Sequence, residues 1–336
     1  MTQKYSFCLL TFLVAFLVHA QQDPHVSLYR YHMNMINPAV SGIKEASFLN
    51  MSLRSQWQGV QGAPETQVVS FGTPTRSERV GLGINVIHDR TYVEEQTLVF
   101  GSFSYRLPLT EKADLFLGLQ AGTNGYSVNA AGLDAWNPQG QAVNDANLLN
   151  YSRFNPNIGV GAYLQHEKYY LSLSAPKILA TERFKEIDGM VTTAADRVHF
   201  YASGAYYFSL NDQWELIPSL LVCYVNFAPF LVTSNLSFSY KKAIDFGVEY
   251  SFKSGLGGTL MVNTNDTFSF GYAYITSLHK DINTFSKGTH EVVMKIKLSS
   301  GFSEKDHPME SKLSKLEKKI GLKNKNESQN LRYRKN

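Results

Sequence analysis

The chain has 336 residues with a formal net charge of +4, 43% hydrophobic and 18% charged residues, and two cysteines. The basic excess sits in residues 301–336, which hold 10 Lys or Arg against 5 Asp or Glu, so nucleic-acid binding by the body of the chain is not indicated. Cys8 lies in the leader described next, leaving Cys223 alone and excluding an intrachain disulfide.

Residues 1–20 read as a secretory signal peptide, with Lys4, an apolar run from Tyr5 to Val18, and Val18-His19-Ala20 before Gln21. Residues 21–45 are expected to form a periplasmic N-terminal segment. Within it, Pro38 removes a backbone donor and fixes φ ahead of the first strand, and Gly42 permits a turn.

From residue 46 to residue 298 the sequence alternates apolar and polar residues with period two. Val80, Leu82, Ile84 and Val86 fall on one face and Gly81, Gly83 and Asn85 on the other. Fourteen strands are predicted. The first seven are Ala46 to Trp57, Thr66 to Thr73, Arg79 to Asp89, Thr97 to Leu107, Asp114 to Val128, Arg153 to His166 and Lys168 to Ala175. The remainder are Arg197 to Leu210, Trp214 to Val225, Leu231 to Tyr240, Ala243 to Phe252, Gly257 to Asn263, Thr267 to Thr276 and Thr289 to Leu298. Most reach the roughly 9 to 11 residues that a tilted strand needs to cross hydrocarbon. Beyond the leader, no apolar run is long enough for a transmembrane helix.

Long and short connections alternate, so they segregate to opposite ends. That is the pattern of an all-β, antiparallel, up-and-down transmembrane barrel with short periplasmic turns, longer extracellular loops and periplasmic termini. The loops Asn129 to Ser152 and Pro176 to Asp196 are the longest and are candidate recognition elements. Trp57, Tyr105, Trp214, Tyr240 and Tyr250 lie near strand ends, where an interfacial girdle would place them, although aromatics also favour strands in general. Residues 299–336 form a basic tail, either solvated and partly disordered or docked on an acidic periplasmic partner or cell-wall polymer.

Arg54 falls on the polar face of the first strand and Glu291 on that of the last. The two strands close against each other, so one expectation is a lumenal ionic network at the seam, the other that each residue meets water separately. Gly81-x-Gly83 and Gly159-x-Gly161 superficially match phosphate loops but lie inside strands, where small inward-facing residues explain them. His88-Asp89 and His290-Glu291 lack a second ligand at metal-binding spacing and an HExxH pattern. Nothing marks a nucleophile elbow, and a barrel hydrolase is the weakest reading. A porin-like solute channel is the stronger alternative, since fourteen strands can enclose a lumen.

Asn37-Pro38-Ala39 with Gly42, followed by Arg54-Ser55-Gln56-Trp57, resembles the start of the PorP/SprF family of outer-membrane proteins of type IX secretion. The resemblance continues through Phe154-Asn155 with Gly159 and Gly161, Tyr169 to Ser174, Tyr206-Tyr207-Phe208, Ile217-Pro218-Ser219, Gly271-Tyr272-Ala273-Tyr274 and His290-Glu291, over about residues 22–298. Departures are Asp245-Phe246-Gly247 where the family commonly has Trp-x-Gly, Ile275 where an Asp often stands, and the longer tail. The resemblance implies a non-enzymatic component of the secretion and gliding machinery in the outer membrane, with no cofactor or metal. Its implied partners are outer-membrane lipid, a secreted surface protein or adhesin, and other periplasmic and outer-membrane type IX components.

Overall fold

A computed structural model describes residues 26–43, 46–77, 79–129, 135–136, 142–143, 151–182, 195–226, 228–252, 255–265, 267–278 and 284–298. The expected signal peptide, the basic tail and much of the two longest connections lie outside the described residues.

Alternation of apolar and polar side chains produces strands whose two faces see different surroundings, and here the strands close into a ring. The wall consists of β1 (Phe48–Ser55), β2 (Glu65–Pro74), β3 (Val80–Thr91), β4 (Glu94–Thr110), β5 (Ala113–Val128), β6 (Tyr151–His166) and β7 (Tyr169–Ala175). It continues with β8 (His199–Tyr206), β9 (Trp214–Val225), β10 (Leu231–Tyr240), β11 (Ile244–Ser251), β12 (Gly255–Asn263), β13 (Phe268–Thr276) and β14 (Thr289–Lys297). Every neighbour is antiparallel, β8 bridges β7 and β9, and β1 pairs with β14 to close the barrel; the two-residue strand Phe208–Ser209 adds to β9. Closure leaves no unpaired edge, as a lipid-facing sheet requires.

The outward face is apolar and exposed, as at Leu82, Ile84, Leu117, Leu119, Leu171, Leu173 and Val248. The inward face is polar and buried, as at Asn50, Ser70, Asn85, Gln120, Asn124 and Thr233. Outward aromatics gather near both ends of the wall. Trp214 packs against Tyr240 and Phe246 at the end where β1 begins and β14 finishes, and Tyr224 against Phe200 and Phe230 at the opposite end. Amphipathic rings at those two levels suit the boundary between hydrocarbon and headgroups.

Most strand bounds differ from expectation by a few residues, and two of the differences change the connections. Strands β3 and β4 run on to a turn at Tyr92 and Val93, with Tyr92 at φ 55°, where the sequence predicts a longer loop. The extra rungs pair Arg90 with Glu95 and Thr91 with Glu94. Their polar side chains meet water on both faces, so the ladder outlasts the apolar alternation that signals it. The strand predicted from Arg197 to Leu210 breaks at Tyr207.

The larger difference concerns residues 21–45. The described part, 26–43, does not lie apart from the barrel; it runs through its interior as three turns of 3-10 helix, Tyr29–Tyr31, Met33–Met35 and Pro38–Val40. Asn37 accepts a hydrogen bond from Ala39 N–H, and Pro38 starts the last turn, where its missing donor costs nothing. The apolar side of this segment supplies Tyr29, Met33, Ile36, Ala39 and Val40 to a cluster with Phe116, Tyr163, Tyr170, Ala205, Ile217 and Leu221 of the wall. Full burial of each large side chain contributes about 1.5–3 kcal/mol. Two notches in the wall let the backbone approach: a Cβ at Gly118 would overlap Ala39 N, and one at Gly161 would overlap the Asn37 carboxamide. Gly42 holds φ +67°, a conformation suited to glycine, and lies against Thr73 and Gly81.

Gly161→Val should therefore destabilise the docked segment, by about 1–3 kcal/mol if overpacking is typical. Limited proteolysis of the folded barrel is expected to cut near residues 26–43 faster in this variant than in the parent. Gly258→Ala, at a position with open space for a methyl group, should leave the rate unchanged.

Candidate functional site: the lumenal segment and its clamp

The strongest polar contacts in the lumen join the inserted segment to the barrel seam. In the β1–β14 register Arg54 stands opposite Glu291, and both side chains point inward, with 1% and 0% exposure. Arg54 Nη1 donates to Glu291 Oε2 at 2.9 Å and to Ser27 Oγ at 2.8 Å. The same carboxylate accepts the backbone N–H of Ser27 at 2.8 Å and of Leu28 at 3.0 Å. One carboxylate thus takes three hydrogen bonds, two from the inserted chain and one from the closing strand. A buried charge requires such pairing to offset its desolvation. Glu249 of β11, 1% exposed, shares this neighbourhood, near enough to feel the charges of both Glu291 and Arg54.

A second anchor grips the segment on the far wall. Asn37 Nδ2 donates to Ala162 O at 3.0 Å and Ser172 Oγ at 2.8 Å, Ser174 Oγ donates to Ile36 O at 2.6 Å, and Ser41 Oγ meets Ser102 Oγ at 2.6 Å. A third lies on β11, where Arg30 Nη2 sits 3.3 Å from Asp245 Oδ2 and the Tyr31 hydroxyl donates to the same oxygen. Between these anchors His32 Nε2 lies 3.0 Å from Ser70 Oγ. The segment is thus held to β1, β2, β4, β6, β7, β11 and β14, on several sides of the lumen.

Burial, with a smaller contribution from the Lys295 charge, pushes the His32 imidazole down to about 4 from its ordinary 6.5. The docked ring is therefore neutral at pH 7.

The residues singled out in the sequence divide into two sets. Asn37, Pro38, Ala39 and Gly42 belong to the inserted segment, Arg54 and Glu291 to its clamp, and Gly271 lies beside Leu28 and Met261. Gln56 and Trp57 lie in the turn after β1, with Trp57 at φ 44° and Gln56 N–H donating to Pro64 O at 2.9 Å. Tyr272, Tyr274 and His290 lie on the outer face; the Tyr272 hydroxyl is 2.7 Å from His290 Nδ1, and Tyr274 Oη donates to Lys287 O at 3.2 Å. His290 and Glu291 therefore face opposite sides of the wall. Gly81 and Gly83 border Ser41, Gly161 borders Asn37, and Gly159 borders Pro176. Ser27, Leu28, Arg30, Tyr31 and His32 are contacts that sequence reading did not single out, and Asp245 entered it only as a departure from the family pattern. The run of inward glycines marks a close backbone approach, but it borders Asn37, Ala39 and Ser41 rather than these residues.

Glu291→Gln leaves Arg54 buried without its countercharge, and breaking a buried pair from one side costs about 3–5 kcal/mol. A lowered urea midpoint, with earlier proteolysis of the N-terminal segment, is the expected outcome. For His32, the undocked ring takes a proton near pH 6.5 and the docked ring only near pH 4. Docking is therefore at full strength above about 6.5 and weakens as pH falls toward 4, by up to about 3 kcal/mol. Protease accessibility of residues 26–43 measured from pH 7.5 to 4.5 should rise over that window, and the rise should flatten in His32→Gln.

Among solved structures the chain is similar to the Ralstonia pickettii toluene transporter TbuX, at 10% identity and TM-score 0.49, over 79% of this chain and 92% of that one. It is also similar to the CymD monoaromatic hydrocarbon channel, at 12% identity and TM-score 0.45 over 80% and 92%, and to the Acinetobacter baumannii outer membrane protein Omp33, at 8% and 0.43 over 77% and 100%. No curated protein sequence matches the chain. The sequence model for the type IX secretion system membrane protein PorP/SprF matches residues 18–296, nearly the whole of the barrel and the inserted segment. The chain belongs to the PorP/SprF family of type IX secretion system membrane proteins.

Proposed function

We propose that this outer-membrane barrel is a non-enzymatic component of type IX secretion that assists the export or surface attachment of an adhesin-type cargo. Family membership supplies the secretion context. The single structural observation that favours binding over permeation is the lumen occupied by residues 26–43 and clamped by Arg54 and Glu291. A blocked barrel suits a scaffold whose ends meet other proteins better than a constitutive pore. In this reading the connections after β5 and β7 face outward toward cargo, and the short turns and termini face the periplasm, where other secretion components would dock.

Clean deletion of the gene, with complementation, tests the reading by mass spectrometry of surface and culture-fluid proteins. One or a few large surface proteins should leave the cell surface and return on complementation. An unchanged surface proteome, together with steady conductance of the purified chain in planar bilayers at pH 7.5, would transfer the reading to a porin-like channel.

A further inference from the structure

Strand parity gives the barrel two unlike ends. β1 begins and β14 finishes at the end bounded by the short turns after β2, β4, β6 and β10, while β1 finishes and β14 begins at the end that carries the long connections. Strand parity alone would put both ends of the chain at the short turns. Residues 26–43 change that for the N-terminal end, because they run along the lumen in three passes.

The first pass descends. Ser27 and Leu28 are bonded to Glu291, the third residue of β14 from the long-connection end, and Ser27 also to Arg54, the last but one of β1. Leu28 packs beneath this contact against Met261 and Val293. Arg30 and Tyr31 finish at Asp245, the second residue of β11 after its short turn. The second pass rises. Met35 packs against Val68, Ile87, Leu98 and Phe100 in the outer halves of β2, β3 and β4, and Ile36 O accepts from Ser174, the last but one of β7. The third descends from Asn37 to Gly42, which lies against Thr73 and Gly81 beside the turn joining β2 to β3.

An odd number of passes puts the far end of the segment opposite to the start of β1. Distance supports the same exit. Arg54 is one residue from the end of β1, about 3 Å of strand. The short turns lie the whole first pass away, behind Leu28, Met261, Ala273 and Val293 at 0–2% exposure. A chain doubling back there would have to open an interior packed as closely as an organic crystal.

We propose that the chain upstream of Val26 leaves the lumen through the long-connection end, so that its N-terminal end is an interaction surface on the outer side of the membrane, on the same side as the loops after β5 and β7. The partner it fits is a protein outside the outer membrane and not a periplasmic one. Such a partner reaches the clamp first, because the bonds of Ser27 and Leu28 to Glu291 are the described contacts of the segment nearest that mouth. The periplasmic placement of the termini then holds for the C-terminal side of β14 alone. This inference concerns the path of the chain and stands without a role in secretion.

The test labels intact cells with a membrane-impermeant maleimide, using cysteine variants of the full-length protein. Cys223 of the parent is buried inside the barrel at 3% exposure and gives the background. Gln61→Cys, exposed in the connection after β1, and Lys112→Cys, exposed in the turn after β4, mark the two ends. Gln22→Cys and Asp23→Cys report the N-terminal end, the mass of the purified chain fixes its first residue, and heat-modifiable gel mobility verifies that each variant is a folded barrel. Both N-terminal positions should label in intact cells to the same extent as Gln61→Cys, with Lys112→Cys labelled only after the outer membrane is opened. Labelling of the N-terminal positions only together with Lys112→Cys overturns the proposal, and so does their failure to label before denaturation. Labelling of Lys112→Cys but not Gln61→Cys from outside would mean that the barrel is inverted; the outward location of the N-terminal end would then be wrong, and labelling of its positions in step with Gln61→Cys would still establish the route. An unchanged surface proteome on deletion of the gene would leave either result standing.

Discussion

The Glu291 carboxylate, sealed from water where the last strand meets the first, is the interaction on which the arrangement depends. A charge at 0% exposure is tolerated only when its hydrogen-bonding capacity is filled, and here Arg54 and the backbone of Ser27 and Leu28 fill it. The contact therefore joins two events, closure of the β1–β14 seam and docking of the N-terminal segment. Losing either partner leaves the other with an uncompensated charge. That asymmetry makes a weak net contributor to stability a strong determinant of which conformation forms.

The inserted segment has a second, distributed attachment of opposite character. Tyr29, Met33, Ile36 and Val40 bury apolar surface against Phe116, Tyr163, Tyr170 and Ile217, inside a lumen whose remaining lining is largely Asn, Ser and Thr. The apolar cluster supplies undirected cohesion, and Asn37, Ser41 and Arg30 set the register of the chain against the wall. A pore of this composition would hold water if empty. Occupied by the segment, it still leaves a cavity of about 530 Å³ bordered by the short turns after β4, β6 and β10.

Much of the wall was legible in the sequence because a strand between lipid and lumen must alternate. Val80 to Val86 and Ile244 to Phe252 carried that signal without help from tertiary context. It faded where both faces meet water, which is why the rungs from Arg90 to Glu95 went unread. Arg54 and Glu291 were legible as inward residues on strands that close together, since period two fixes the face. Their bonds to Ser27 and Leu28 were not, because a segment with no alternation and no long helix gives no sign of what it will pack against. Gly118 and Gly161 held a trace of it: a small residue on an inward face leaves room for something, though not a statement of what.

By itself, the sequence determined an antiparallel barrel of fourteen strands, the apolar outer face and the polar inner face, because these follow from local periodicity and the need to pair every strand edge in lipid. Only the tertiary structure decided that residues 26–43 run through the lumen and that one carboxylate binds seam and segment together. Those outcomes rest on contacts between residues more than 200 positions apart, such as Ser27 with Glu291 and Arg30 with Asp245, and no local pattern encodes a distance that only ring closure creates.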